Sequence, residues 1–598
     1  MAGPVETALQ VGSPVAGADR SGGGRWPGTL SMALGLGLAA GAVYLLPALL
    51  GRPLVETPEA RVAVVAREML QSGEWVLPTL GGEVRLNKPP WAYWQTAVAA
   101  KLLQGDGPLD ETVMARAVLL PSALAAALTV VLLTIVAGRV WGREAGAIAG
   151  CCCGVSWMVI RYSQMGYLDC TLMAVCAVGL SGAGWLAAAP RPGAVSALVF
   201  GAGLGLGLLV KGPLALIVVL PALLICSCCA PAPVRRLLLI LAGLGVAALI
   251  ALPWFVLVAR RLPAEVSFWA LLDREMASGH EQNDRWVYYL YKLAGGFAPW
   301  TPILLLALVA IFSRGFSGLA EWLDRRLSGC CPDGHAPAPS AFFRFFVIAA
   351  LSSLAILYAS AKQQEHYLLP LFPPLVLAAT GLLSALRKPG GRREERMAWL
   401  QLAAGATVGL AVATLPAWCG HGADLGLGYG FAVPAGLALA ALHFYMARQW
   451  VEGRPARAVG IFAVAVWIAA AAYSAMWTWQ VQSTSNLARE AASVREQLDA
   501  VGPQVRVCGI GYPVPLMVFY LRRPVSGLEE LKNPSAESGA PWVIVARRND
   551  ILDPAHPLFG RLGLASFLVP GSGKLAVVRL PEGQDWPRRV AEALARRE

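Results

Sequence analysis

The stretch "ETPEARVAVVAREMLQSGEWVLPTLGGEVRLNKPPWAYWQ" (residues 56–95) interrupts a chain otherwise dominated by Ala, Leu, Gly and Val. Its first half predicts a helix. Thr57 is placed as N-cap and Pro58 at the first helical position, where its missing N–H costs nothing. Val62, Val65, Met69 and Leu70 form one apolar face, and Ser72-Gly73 ends the helix. Such a helix is expected to lie along a membrane surface. It carries Glu56 and Glu59 at its start, where the helix dipole favours carboxylates, and both acids also suit plain capping. In the second half Lys88 precedes Pro89 and Pro90, which fix their own φ and push Lys88 out of helix. Trp91, Tyr93 and Trp94 then resume a helical pattern with rings suited to a membrane–water interface.

Around this stretch the composition excludes an ordinary soluble domain. Hydrophobic residues make up 56% of the chain, charged residues 14%, and mean hydropathy is +0.56. Thirteen apolar runs are long enough to cross a hydrocarbon core: about 29–50, 113–138, 143–160, 165–189, 194–210, 212–230, 235–259, 287–312, 342–360, 366–386, 398–419, 426–447 and 457–480. With the N-terminus inside, Arg20, Arg25, Arg139, Arg143, Arg191, Arg235, Arg236, Arg314, Arg325, Arg326, the run "RKPGGRREER" (387–396), Arg448, Arg454 and Arg457 all fall on inner segments. That is the positive-inside pattern. The net charge of +12 is therefore mainly a topology signal, and no basic patch on a soluble domain supports nucleic-acid binding. Most of the twelve cysteines lie in or beside apolar runs, where Cys behaves as a small hydrophobe, and no disulfide framework follows.

These runs divide the chain. Residues 1–28 read as a disordered cytoplasmic tail. A cleaved signal peptide is not expected, because the first apolar run is too long and lacks a convincing cleavage site. Residues 29–480 read as a transmembrane domain whose first outer loop is 51–112. Thirteen spans place residues 481–598 outside as a small α/β domain. There "NLAREAASVREQLDAVG" reads as an amphipathic helix, and "VRVCGI", "LMVFYL", "WVIVAR" and "LAVVRL" read as strands.

Ionisable groups recur at the outer ends of the spans. "RYSQMGYLDCTLM" places Arg161 and Asp169 around one turn, and "LLVKGPLAL" places Lys211 between two apolar runs, where snorkelling is the plain alternative. "SAKQQEHYLLPLFPPL" contributes Lys362, Glu365, His366 and Tyr367, and the loop before 287 contributes Asp273, Arg274, Glu275 and His280. A solvated-surface origin would scatter these groups over both faces. Their gathering on one face predicts a single polar cavity, with carboxylates for acid–base work and cations for an anionic group.

The stretch "EARVAVVAREMLQSGEWVLPTLGGEVRLNKPPWAYW", followed in order by "R…LD", "KGP", "PWF" and "K…YLLPLFP", resembles the bacterial lipid-linked-sugar glycosyltransferases. These are similar to the lipid A aminoarabinose transferase and, more distantly, to the protein O-mannosyltransferases. The resemblance runs over nearly the whole chain. It implies a GT-C fold, a polytopic α-helical membrane protein that takes a sugar from a polyprenyl-phosphate donor on the outer, periplasmic face of the bacterial cytoplasmic membrane. It delivers the sugar to a lipid, glycan or protein acceptor by inverting displacement, with no enzyme nucleophile. The resemblance further implies that Lys88 and Lys211 face the donor phosphate and that Arg61 and Tyr367 line the same cavity. Asp169 matches the second acid of the pattern. Tyr93, Arg161, Arg274 and Lys362 complete the substrate-binding candidates.

The chain also departs from the pattern. The leading aspartate of the first loop falls on Pro58, so the first-loop acid is Glu59 or Glu56, with Glu59 favoured. Val62 replaces a tyrosine, and Met276 stands where many relatives have histidine. No cofactor is called for; a divalent metal on His280 or His366 is left open. The competing class is a transporter or flippase of a lipid-linked sugar. Such proteins often show internal repeats and ionisable residues at the membrane midplane, whereas here the charges sit at one face.

Overall fold

The computed structural model describes residues 25–262 (except 87, 106, 108 and 229–231), 287–301, 338–385 (except 361 and 362), 454–526 (except 503, 511 and 512), 541–548 and 574–580, with scattered positions between. The chain opens with α1 (Arg25–Tyr44), α2 (Leu46–Leu49) and α3 (Thr57–Ser72), then a two-stranded hairpin of β1 (Thr79–Leu80) and β2 (Glu83–Val84). A run of helices follows: α4 (Trp91–Gln104), α5 (Glu111–Trp141), α6 (Arg143–Val155), α7 (Trp157–Ser163), α8 (Asp169–Ala188), α9 (Ala194–Lys211), α10 (Leu214–Cys228) and α11 (Pro233–Arg261). After these come α12 (Tyr288–Gly296), α13 (Pro339–Ala359), a 3₁₀ turn (Glu365–Leu371), α14 (Phe372–Ala385) and α15 (Pro455–Thr484). The C-terminal segment contains α16 (Asn486–Val501), β3 (Arg506–Gly509), α17 (Val514–Leu521), β4 (Val525–Ser526), β5 (Trp542–Arg547) and β6 (Leu575–Arg579).

Among the described residues, eight helices are long and apolar enough to cross a membrane. They coincide with the runs expected at 29–50, 113–138, 165–189, 194–210, 235–259, 342–360, 366–386 and 457–480. Over the expected span 143–160 the chain forms a pair of helices, α6 and α7, that together are long and apolar enough to cross and are bent by 59° at Ser156, whose extended backbone (ψ 127°) breaks the helix. The run 212–230 forms a helix of only 15 residues. The run 398–419 lies outside the described residues, and those at 287–312 and 426–447 lie partly outside.

Glycines set how closely the spans approach. A Cβ on Gly203 would stand 2.2 Å from the Gly179 backbone nitrogen, and one on Gly182 would stand 2.3 Å from Phe200 N. Small residues at these crossings let α8 and α9 pack backbone to backbone, the usual way lipid-embedded helices gain contact. The two helices run antiparallel, so the first residue of α8, Asp169, meets the last residue of α9, Lys211.

The loop helix α3 begins one residue earlier than expected, with Glu56 rather than Thr57 as the N-cap residue, and Gly73 ends it in the left-handed conformation (φ 72°). It is also covered more completely than a helix resting on a surface. Ala60, Ala63, Val64 and Ala66 are buried together with the expected Val62, Val65 and Met69. The cover is α17, packed on α3 within one apolar cluster. Arg67 of α3 donates to the carbonyls of Phe519 (3.0 Å) and Val518 (3.1 Å). A cation thus satisfies carbonyls that the end of α17 leaves without helical partners.

The run "LMVFYL" was expected to be a strand and is the body of this helix. All six of its residues are buried, and a short, fully apolar run has no periodicity to distinguish strand from buried helix. Pro513 and Pro515 at its start favour the helix. The other three runs form β3, β5 and β6, and with β4 they make a sheet in the order β4-β3-β5-β6, with β3 parallel to β4 and β5, and β6 antiparallel to β5.

Candidate active site

The site lies where the ends of several helices converge. Asp169 is 1% exposed and opens α8. Its Oδ1 accepts from Lys211 Nζ at 2.5 Å, and its Oδ2 stands 3.9 Å from His366 Nε2. The Lys211 ammonium lies 4.2 Å from the centroid of the Tyr367 ring. His366 is enclosed by rings, with centroids at 5.3 Å (Tyr167), 6.0 Å (Tyr162) and 4.9 Å (Tyr367). Lys88 is close enough for its charge to act on both Asp169 and His366.

A second group adjoins the first. Glu365 accepts from Arg161 at 3.0 Å and from Lys292 at 2.5 Å. Arg161, at the end of α7, also acts on Glu56, as does Arg52. The 3₁₀ turn joins the two groups, since Glu365 faces one and His366 and Tyr367 face the other. Prolines in "YLLPLFPP" shape this stretch: Pro370 lies inside the turn, and Pro373 and Pro374 follow at the start of α14. Proline cannot supply the N–H that a continued α-helix needs, so residues 365–371 wind tighter and present three successive polar side chains.

The two first-loop acids have different surroundings. Glu59 is 0% exposed and forms an ion pair with Arg52, which is equally buried. Its Oε1 also accepts from Gly166 N at 3.1 Å, tying α3 to the turn that leads into Asp169. Only glycine fits there, because a Cβ on residue 166 would stand 2.1 Å from Val118 Cγ1. Glu56 is half-buried at the mouth of α3. Burial, and then the neighbouring Glu59, raise its pKa above the ordinary 4.5, against the opposing pull of Arg52 and Arg161.

Of the residues expected to form the site, the structure brings together Glu56, Lys88, Arg161, Asp169, Lys211 and Tyr367. Tyr93 is elsewhere: it is 3% exposed, in the apolar cluster that α3 and α4 share with the C-terminal segment. Arg61 is exposed on α3. Arg274 and Lys362 lie outside the described residues, as does His280. Among the described residues no three His, Cys, Asp or Glu side chains converge as metal ligands would.

Sequence reading missed Lys292 and Arg52. Lys292 sits in "YYLYKL", where the sole signal was one lysine among tyrosines. Arg52 follows the first span directly, where it reads as an ordinary interfacial cation.

The loop around Lys88 is fixed by its neighbours. Trp94 Nε1 donates to Trp75 O at 2.7 Å and Trp254 Nε1 to Val76 O at 3.0 Å, so the rings anchor residues 75–76 against α4 and α11. Glu68 accepts from Thr79 Oγ1 (2.5 Å) and Gly81 N (2.7 Å), pinning the hairpin to α3. Lys88 then lies in the non-helical link before α4, as the two prolines require.

Comparison with solved structures settles the architecture. ArnT from Cupriavidus metallidurans in the apo state superposes with a TM-score of 0.64 at 20% identity, covering 93% of this chain and 98% of ArnT. The same protein bound to undecaprenyl phosphate gives 0.66 at 21%, covering 92% and 98%. This chain has the GT-C fold. The GT-C protein also matches the family of dolichyl-phosphate-mannose-protein mannosyltransferases over residues 57–272, the region that supplies α3, Lys88, Asp169 and Lys211.

Curated relatives of this GT-C protein include two undecaprenyl phosphate-alpha-4-amino-4-deoxy-L-arabinose arabinosyl transferases of Pseudomonas fluorescens. Transferase 1 is 31% identical over 350 residues, 57% of each chain. Transferase 2 is 27% identical over 441 residues, 71% of this chain and 69% of the relative. The chain thus spans 57% of the length of the first and 69% of the second. The GT-C protein resembles the lipid A aminoarabinose transferase, and with its apolar helices and bacterial relatives it is a multi-pass inner-membrane protein.

Proposed function

We propose that the protein is an integral-membrane glycosyltransferase that moves a sugar from a polyprenyl-phosphate donor to a lipid, glycan or protein acceptor on the periplasmic face. The observation that carries this reading is the meeting of Lys88, Lys211 and Asp169 at the end of α8 and α9, beside a half-buried carboxylate, Glu56. The likeness to transferases named for an undecaprenyl-phosphate sugar, and to a solved relative bound to undecaprenyl phosphate, supports the same donor class.

The chemistry follows from the charges. An acceptor oxygen attacks the anomeric carbon while the bond from that carbon to the phosphate oxygen breaks. The electron pair leaves with the lipid phosphate, and the Lys88 and Lys211 ammonium groups stabilise the charge developing there. Asp169 holds Lys211 in place. Glu56 takes the acceptor's proton as the new bond forms. Glu59, sealed against Arg52 and Gly166, serves as structure, so the geometry favours Glu56 over the acid that spacing favoured.

Two results are expected. Lys88→Met keeps the apolar stem and removes the charge, so undecaprenyl phosphate titrated into detergent-purified protein should bind at least about tenfold more weakly, the scale of one charged hydrogen bond. Equal affinities would leave Lys88 as an interfacial anchor. The rate should also fall as pH drops through the Glu56 pKa, because the base must be ionised. That pKa is raised in the free protein, so the acid limb of the kcat/KM profile should lie above 4.5, and an acid limb below that value would remove Glu56 as the base.

The sidedness has its own test. If the expected runs all cross and the N-terminus lies inside, residues 481–598 form an extracytoplasmic domain. A reporter active only in the periplasm, fused after residue 598, is expected to give signal. A silent periplasmic fusion with an active cytoplasmic one would reverse the orientation.

A further inference from the structure

The segment that leads into α3 is held by two parts of the chain remote in sequence. From α15, Gln482 Nε2 donates to Leu50 O at 2.8 Å and to Gly51 O at 3.1 Å. The Arg52 guanidinium, paired with Glu59, lies 4.9 Å from the Trp477 ring centroid. Residues 53–56 then run without helix or strand. Here the restraint comes from the C-terminal segment: Tyr520 on α17 donates its hydroxyl to Leu54 O at 2.8 Å. Leu54 is wholly buried and Tyr520 is 3% exposed. Tyr520 is itself immobilised, because Arg495 donates to its carbonyl at 2.7 Å and Arg67 donates to the two carbonyls before it. Leu54 stands two residues before Glu56, whose backbone is extended (φ −97°, ψ 136°) at the entrance to α3.

We propose that Tyr520 is a positioning residue for Glu56, so that the C-terminal segment completes the geometry of the site. A carboxylate that accepts a proton in a transition state must be held within a fraction of an ångström. Glu56 sits on a loop edge, where backbone freedom is largest. Upstream of Arg52 the loop is fixed by α15, and downstream of Thr57 it is fixed by α3. The Tyr520 hydroxyl fixes a carbonyl between them, Leu54 O. The role of Glu56 as proton acceptor rests on the function proposed above; the hold on the segment does not.

Tyr520→Phe removes one oxygen and keeps the buried ring, so the fold should survive. Hydrogen exchange on the full-length protein in detergent reads the hold directly. Amides over residues 50–57 should exchange about fivefold faster, the scale of one lost neutral hydrogen bond, with residues 91–104 unchanged. No change over 50–57 overturns the proposal.

Transfer is then measured in membranes of a deletion strain complemented with wild type, Tyr520→Phe, Glu56→Gln and the double variant. The host supplies donor and acceptor, and mass spectrometry follows the product. Tyr520→Phe alone should lower the rate about fivefold and should cost nothing further in the Glu56→Gln background, the non-additivity expected of residues acting through one another. An equal loss in both backgrounds would make Tyr520 a general structural contact and overturn the positioning role. A Glu56→Gln variant with wild-type rate would instead overturn the reading of Glu56, and the exchange result would still report on Tyr520.

Discussion

Asp169→Asn is expected to lower turnover at least about a hundredfold, the low end of what positioned acid–base and charged groups contribute. Asn matches the carboxylate in shape and removes its charge. Asp169 is buried and bonded to Lys211 at 2.5 Å, and Lys211 is itself largely enclosed beside Tyr367. Removing one member of a buried pair leaves the other charge uncompensated, which costs far more than losing an exposed pair. The lysine would then turn toward water, or lose its proton, and in either case would no longer present an ammonium to the leaving phosphate.

A second loss comes from the helix end. A carboxylate in the first turn of α8 interacts with the positive end of the dipole and Asn does so only weakly. Single-turnover transfer by purified protein checks the prediction, with Lys211→Met and the double variant beside it. The two single losses should not add, since both report one pair. Near-normal transfer by Asp169→Asn would take this residue out of the mechanism.

The second large effect separates the two first-loop acids by different measurements. Glu59→Gln should destabilise the protein by about 3–5 kcal/mol, because it leaves Arg52 buried without a counter-charge, and should loosen the turn at Gly166 that leads into Asp169. Its signature is a lower melting temperature in detergent. Glu56→Gln should melt close to wild type, since Glu56 is half-buried and forms no comparable pair among the described residues, yet lose at least about a hundredfold in turnover. Thermal unfolding and transfer rates on both variants decide the matter. A stable Glu59→Gln that transfers nothing, beside an active Glu56→Gln, would exchange the two roles.

Much of the architecture was legible locally. The length of the apolar runs, their lack of charge and the inner bias of arginine are one-dimensional properties, and eight of the runs are spans among the described residues. The end of α3 at Gly73 follows from glycine's access to positive φ, and the break at Lys88 follows from two prolines. Asp169 and Lys211 were identifiable because an ionisable side chain at the end of an apolar run is costly without a purpose. Their pairing was not, since it depends on glycines 179, 182 and 203 drawing α8 and α9 together.

What the sequence by itself determined was eight of the long apolar helices, the points where the backbone must break, and the polar residue types that end up near one another. The tertiary structure alone decided which of those residues act together. It sealed Glu59 against Arg52 and left Glu56 at the mouth of α3. It withdrew Tyr93 into the core, brought Lys292 to Glu365, and made "LMVFYL" a helix that reaches back to Leu54. The reason is physical. Hydropathy, capping and proline act within a few residues, and so are written along the chain. The burial of a charge depends on groups from distant segments excluding water together, and that exclusion exists only once they have packed.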